Sequence, residues 1–91
     1  MEKLHYKITV KGRVQGVWFR KYTKMKADEL EIQGFVKNLP NGDVFIEAEG
    51  TMLQLNAFIK WLHKGSPHSK VYVVETQTGE LQDHQYFEIR R

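Results

Sequence analysis

The 91-residue chain is 41% hydrophobic, 12% aromatic and 27% charged, the balance of a single packed domain over residues 1–91 rather than a disordered segment. Cysteine is absent, which excludes disulfide scaffolds, thiolate metal sites and thiol catalysis, and no apolar run approaches the roughly 20 residues of a membrane span. The net charge of +3 is unevenly spread: residues 1–40 hold nine Lys/Arg against four Asp/Glu, and residues 41–91 five against seven, so the first half favours an anionic ligand.

The amino terminus, Met1-Glu2-Lys3-Leu4-His5, lacks the apolar stretch of a signal peptide, and a cytoplasmic location is expected. Tyr6, Ile8 and Val10 alternate with Lys7, Thr9 and Lys11, the period of a half-buried strand. Gly12 and Gly16 then punctuate a loop, Gly12–Val17. From Phe19 the spacing becomes helical, with Phe19, Thr23, Ala27 and Leu30 on one face. Gly34 closes the helical region, and Phe35-Val36-Lys37-Asn38 opens a second strand. Leu39-Pro40-Asn41-Gly42 is a hairpin signal, because both Asn and Gly tolerate positive φ.

Val44, Ile46 and Ala48 alternate with Phe45, Glu47 and Glu49 in a third strand. Thr51 is placed to cap a helix in which Leu55, Phe58, Ile59 and Leu62 form the apolar stripe. Gly65-Ser66-Pro67 stops that helix. Lys70–Gln77 reads as a strand, Thr78–Gln85 as a polar loop and Tyr86–Ile89 as a short last strand. The order β-α-β-β-α-β plus a terminal strand predicts an α+β, ferredoxin-like split β-α-β sandwich. Its two helices lie on one face of a mostly antiparallel sheet of four to five strands. The sheet face bearing Ile8, Val10, Val44 and Ile46 receives the helices; the face bearing Glu47 and Glu49 meets water.

Few residues offer chemistry. His5, His63, His68 and His84 show no ligand spacing and no neighbouring carboxylate, so no metal site is expected. The two serines, Ser66 and Ser69, lie together in a helix exit and make a poor catalytic triad. Glu47 and Glu49 are two residues apart on one strand face; as an acid/base pair they compete with the plainer reading of a solvated sheet surface. The loop after the first strand is more specific. It leads into a helix amino terminus, where free N–H groups and the helix dipole favour an anion, and Arg20 stands in the first turn. The Gly-Lys-Ser/Thr ending of an ATP loop is missing. The segment is therefore either an anion cradle or a tight turn beside a solvent-facing Arg20. Asn38 either bonds the hairpin backbone or reaches the same anion.

At these residues the chain resembles the acylphosphatase family. Gly12-Arg13-Val14-Gln15-Gly16-Val17-Trp18-Phe19-Arg20 is similar to its first signature, and Gly34-Phe35-Val36-Lys37-Asn38-Leu39-Pro40-Asn41-Gly42 to its second. Ala48-Glu49-Gly50, Phe58…Trp61-Leu62, Gly65-Ser66-Pro67 and Phe87-Glu88-Ile89-Arg90 extend the likeness along nearly the whole chain. The resemblance implies hydrolysis of the carboxyl–phosphate anhydride of acyl phosphates to a carboxylate and orthophosphate, with no metal or other cofactor. It implies that Arg20 and the backbone N–H groups of Gln15, Gly16, Val17, Trp18 and Phe19 bind the phosphoryl group, and that Asn38 positions water. The expected partners are a small acyl phosphate and inorganic phosphate as product, with no nucleic acid or membrane, and the expected state is a monomer. Trp18 departs from the glycine usual there; since bulkier residues are tolerated at this position, an ordinary φ is expected.

Two other readings stay in view. An RNA-binding module on the same fold would use Phe45 and Tyr72, but Glu47 and Glu49 would share that surface. A regulatory domain would bind a phosphorylated metabolite without turnover.

Overall fold

The structure is a computed structural model that describes residues 2–91. Its elements run β1 (Leu4–Arg13), α1 (Phe19–Glu29), β2 (Gln33–Asn38), β3 (Val44–Gly50), α2 (Met52–Lys64), β4 (Lys70–Gly79) and β5 (Phe87–Arg90). The sheet order is β4-β1-β3-β2-β5, antiparallel throughout except for the parallel pair β2–β5. Both helices pack on one face, α1 over β2 and β5 and α2 over β3 and β4. The expected ferredoxin-like plan is present, with the terminal strand placed beside β2.

Alternation builds the core. Ile8, Val10, Val36, Val44, Ile46 and Ala48 project from the sheet onto Phe19 and Ala27 of α1 and Leu55, Phe58 and Leu62 of α2, all essentially without solvent exposure. Thr51 caps α2 in a reciprocal capping box, its hydroxyl accepting from Gln54 N–H while Gln54 Oε1 accepts from Thr51 N–H.

Register fixes what comes together at one end of the sheet. Val44 of β3 faces Val10 on one side and Asn38 on the other, so the ends of β1 and β2 stand level, one strand apart. Parallel β5 finishes at the same end, with Arg90 opposite Lys37.

Several boundaries differ from the sequence reading. β1 continues through Gly12 to Arg13, with a register shift against β4 at Lys11/Gly12, so the loop shortens to Val14–Trp18. Gly34 does not end α1. The helix stops at Glu29, and Gly34 lies inside β2 at φ 143°, where a Cβ would collide with the Glu47 carbonyl of β3. The hairpin spans Leu39–Asp43, and only Gly42 takes a positive φ. Pro40 and Asn41 form the middle of a turn closed by Gly42 N–H to Leu39 O.

The helix-free face is not simply solvated. Glu49 is fully buried, because the segment between β4 and β5 passes over it. Its carboxylate accepts from the N–H groups of Gln82 and His84 and from His5 Nδ1 at 2.7 Å. The other ring nitrogen of His5 lies 3.1 Å from Glu47 Oε1. His5 faces Glu49 directly across the β1–β3 ladder, a neighbourhood that linear spacing could not reveal. Burial opposes ionisation of Glu49, but the hydrogen bonds from Gln82, His5 and His84 outweigh it and hold the pKa below its ordinary 4.5. The unfolded chain therefore takes up this proton at higher pH than the folded one. The stabilisation is complete above the ordinary value and is lost as pH falls through the folded one. Glu49→Gln should cost about 1–3 kcal/mol at neutral pH by leaving buried donors poorly paired. It should also flatten the acid limb of stability against pH. Urea unfolding of both proteins from pH 3 to 7 measures both effects.

Candidate active site

The segment between β1 and α1 is held by alternate side chains. Val14, Val17 and Phe19 are buried in the core, while Gly16 and Trp18 face outward. Gly16 has φ 72° and Trp18 φ 62°, flanking Val17, whose φ is not positive. Such alternation of backbone hand turns successive N–H groups toward one concavity, a form suited to an anion. Among the described residues, no N–H of Gln15–Phe19 donates to a protein acceptor. Trp18 is also the N-cap of α1 and offers no side-chain cap, so the first-turn donors of the helix open onto the same place.

Trp18 overturns the expectation of an ordinary φ. The left-handed conformation costs a residue with a Cβ roughly 1–2 kcal/mol. The reason lies in its neighbours: Val17 and Phe19 both enter the core, and the chain between them must reverse hand for α1 to start.

Arg20 projects from the first turn of α1, half-buried, and its Nη1 donates to the carbonyl of Arg90 on β5 at 3.2 Å. Asn38 ends β2, and its Oδ1 is buried with no protein partner. Both side chains line one cleft of about 400 Å³ with Val14, Gly16, Trp18, Phe19, Lys21 and Ile89. Of the residues expected at a site, Gly16, Trp18, Phe19, Arg20 and Asn38 thus meet. Gln15 and Val17 do not line the cleft; they brace it. Gln15 Nε2 donates to Leu39 O and Asp43 O, both at 2.8 Å, tying the loop to the hairpin beyond Asn38. Val17 O accepts from the buried Ser66 hydroxyl at 2.9 Å. Asp43 also bonds Lys11 Nζ at 3.0 Å, a contact that holds the Lys11 pKa above its usual value.

Sequence reasoning missed Lys21, which follows Arg20 on α1, and also Ile89 and the Arg90 carbonyl, which come to this end only because β5 pairs with β2. It also missed a second cluster. His5, Glu49 and His84 each bring a potential ligand atom within 4.8 Å of the others. Three N–H groups already point at the Glu49 carboxylate there, an arrangement that locks a loop.

This geometry coincides with a family match. The acylphosphatase family model fits residues 6–89. The chain belongs to the acylphosphatase family. An acylphosphatase of Bacillus licheniformis is 47% identical over 87 residues, covering 94% of this chain and 97% of the relative. The crystal structure of the Bacillus subtilis acylphosphatase superposes with a TM-score of 0.95 at 42% identity, over 97% of this chain and 99% of that one. A Coxiella burnetii acylphosphatase superposes at 0.93 with 36% identity, over 97% and 93%. The family fold and the α+β reading are thus the same. No helix among the described residues is long and apolar enough to cross a membrane.

Within this acylphosphatase fold the Gln15 bridge makes a direct prediction. Gln15→Ala leaves the carbonyls of Leu39 and Asp43 without that donor and should cost about 1–2 kcal/mol. It should also uncouple the loop from the hairpin. Chemical denaturation reads the first effect, and faster amide hydrogen exchange at residues 14–18 and 39–43 the second.

Proposed function

We propose that this chain hydrolyses acyl phosphates by holding the phosphoryl group on the 15–19 backbone and Arg20 while Asn38 positions the attacking water. Family membership makes it an acylphosphatase enzyme; the proposal concerns which residues perform the reaction. One observation supports it: Gly16, Trp18 and Phe19 of a loop whose N–H groups find no protein acceptor line one cleft with Arg20 and with Asn38, whose Oδ1 is unpartnered.

The chemistry matches what these groups supply. Water oxygen attacks phosphorus, the bond from phosphorus to the acyl oxygen breaks, and the carboxylate leaves with the electron pair. The proton lost by the water passes to a phosphoryl oxygen, which completes orthophosphate. A carboxylate is a weak base and needs no general acid to depart. What remains is alignment and stabilisation of charge on the equatorial phosphoryl oxygens. Backbone N–H groups are fixed dipoles and serve that role without reorganising. The planar Arg20 fork matches two phosphoryl oxygens, and the Arg90 carbonyl restrains it. Asn38 Oδ1, buried without a protein partner, is an acceptor free to take a hydrogen bond from the attacking water in this scheme. Orthophosphate, made in the same cradle, should inhibit competitively.

Phosphate release from benzoyl phosphate, with and without a chelator, tests the activity. Arg20→Ala should lower kcat/KM by at least about 10²–10³-fold, with kcat and KM both worse, because the guanidinium holds the phosphoryl group before and during transfer. Near-normal turnover would remove Arg20 from the scheme. Asn38→Ala should lower kcat by about 10²-fold while KM and phosphate inhibition stay close to wild type. Loss of phosphate binding instead would make Asn38 a hairpin residue.

A further inference from the structure

We propose that Trp18 selects the acyl group, giving the enzyme a preference for aromatic over small aliphatic acyl phosphates. The inference rests on the acyl phosphate reading of the cleft and extends it to the side of the substrate that the phosphoryl cradle does not touch.

Three independent features of Trp18 converge. It is left-handed at φ 62°, so the chain keeps a bulky residue where its backbone is strained. Strain of this kind, held in place by buried neighbours, collects at sites of function. Its side chain earns little from the fold in return: 69% of it stays exposed, and it forms no cap on α1. That exposed indole nonetheless lines the cleft that holds Arg20 and Asn38. A residue that neither packs nor relaxes its backbone, yet borders the reaction site, is placed for a ligand.

Its surroundings describe that ligand. Lys21 Nζ lies 5.4 Å from the centroid of the Trp18 ring, a cation–π contact that keeps the indole at the cleft mouth. Ile89, itself partly exposed, adds apolar surface to the same cleft. With the phosphoryl group on the loop and Arg20, the acyl end extends toward this apolar rim. A flat aromatic acyl group can stack on the indole, whereas an acetyl group has no ring to offer. The ammonium of Lys21 lies on the same side, where the leaving carboxylate acquires its charge.

The test compares kcat/KM for benzoyl phosphate and acetyl phosphate in the wild type, Trp18→Gly and Trp18→Asn. Both replacements tolerate a left-handed backbone, so the loop keeps its form while the ring is lost. The benzoyl-to-acetyl ratio should fall by about three- to tenfold in both variants, the worth of one aromatic contact. Taking the ratio cancels any common effect on the phosphoryl cradle and the intrinsic difference between the two anhydrides. An unchanged ratio in both variants overturns the assignment and leaves Trp18 as loop support. A change in the glycine variant alone overturns it too, in favour of loop mobility. A wild type that releases phosphate from neither substrate overturns the acyl phosphate reading itself, a result distinct from either.

Discussion

Everything at the reactive end of the molecule depends on the burial of Val14, Val17 and Phe19 while the backbone between them stays turned outward. The six residues from Val14 to Phe19 cannot place three side chains in a core and also follow a regular path. The chain resolves the conflict with two left-handed residues, Gly16 and Trp18, on either side of Val17. Core packing therefore supplies the free energy that keeps a row of amide donors away from protein acceptors. Ser66, in the connection after α2, and Gln15, reaching the hairpin, add hydrogen bonds, so the loop is gripped from both of these as well as by the core.

A second constraint sits on the other face. Glu49 collects two backbone amides and one imidazole, tethering the segment that leads from β4, at one edge of the sheet, to β5 at the other. That crossing delivers β5 to the open side of β2. Once there, β5 offers the Arg90 carbonyl to Arg20 and the Phe87 carbonyl to Lys24, and α1 is fastened over it. The buried carboxylate thus acts at a distance from the cleft, through the strand that it allows to dock. Arg90 contributes twice, since its guanidinium also lies 3.9 Å over the Phe35 ring on the helix-free face.

The sequence made the periodic parts legible. Strand alternation, the helical stripes, the Thr51 cap and the Gly65 stop depend on residues close in the chain, and they form where the pattern puts them, except that Leu30 of the first stripe falls just past the end of α1. The two signatures marked Arg20 and Asn38 because they are contiguous. What stayed hidden depends on register. His5 and Glu49 are 44 residues apart and meet only because β1 and β3 pair in one alignment. Ile89 and the Arg90 carbonyl join the cleft only because β5 runs parallel beside β2. Gly34 looked like a helix stop because glycine commonly is one; its actual reason is a close approach to the β3 backbone.

The hand of Trp18 shows why composition at one position is a weak guide to conformation. Gly16 faces open space, with no atom within 4 Å of where its Cβ would lie, so crowding does not dictate glycine there. Its left-handed φ answers the same demand as that of Trp18, which is to bring the intervening amides round to one side. The demand comes from the buried neighbours, and a tryptophan obeys it as a glycine would, at a cost in strain. Backbone geometry at this site is thus set by what the adjacent residues bury, and the outward side chains are released from structural duty. In the proposed scheme, positions freed in this way beside the loop are where the rest of a substrate would be read without disturbing the groups that hold its phosphate.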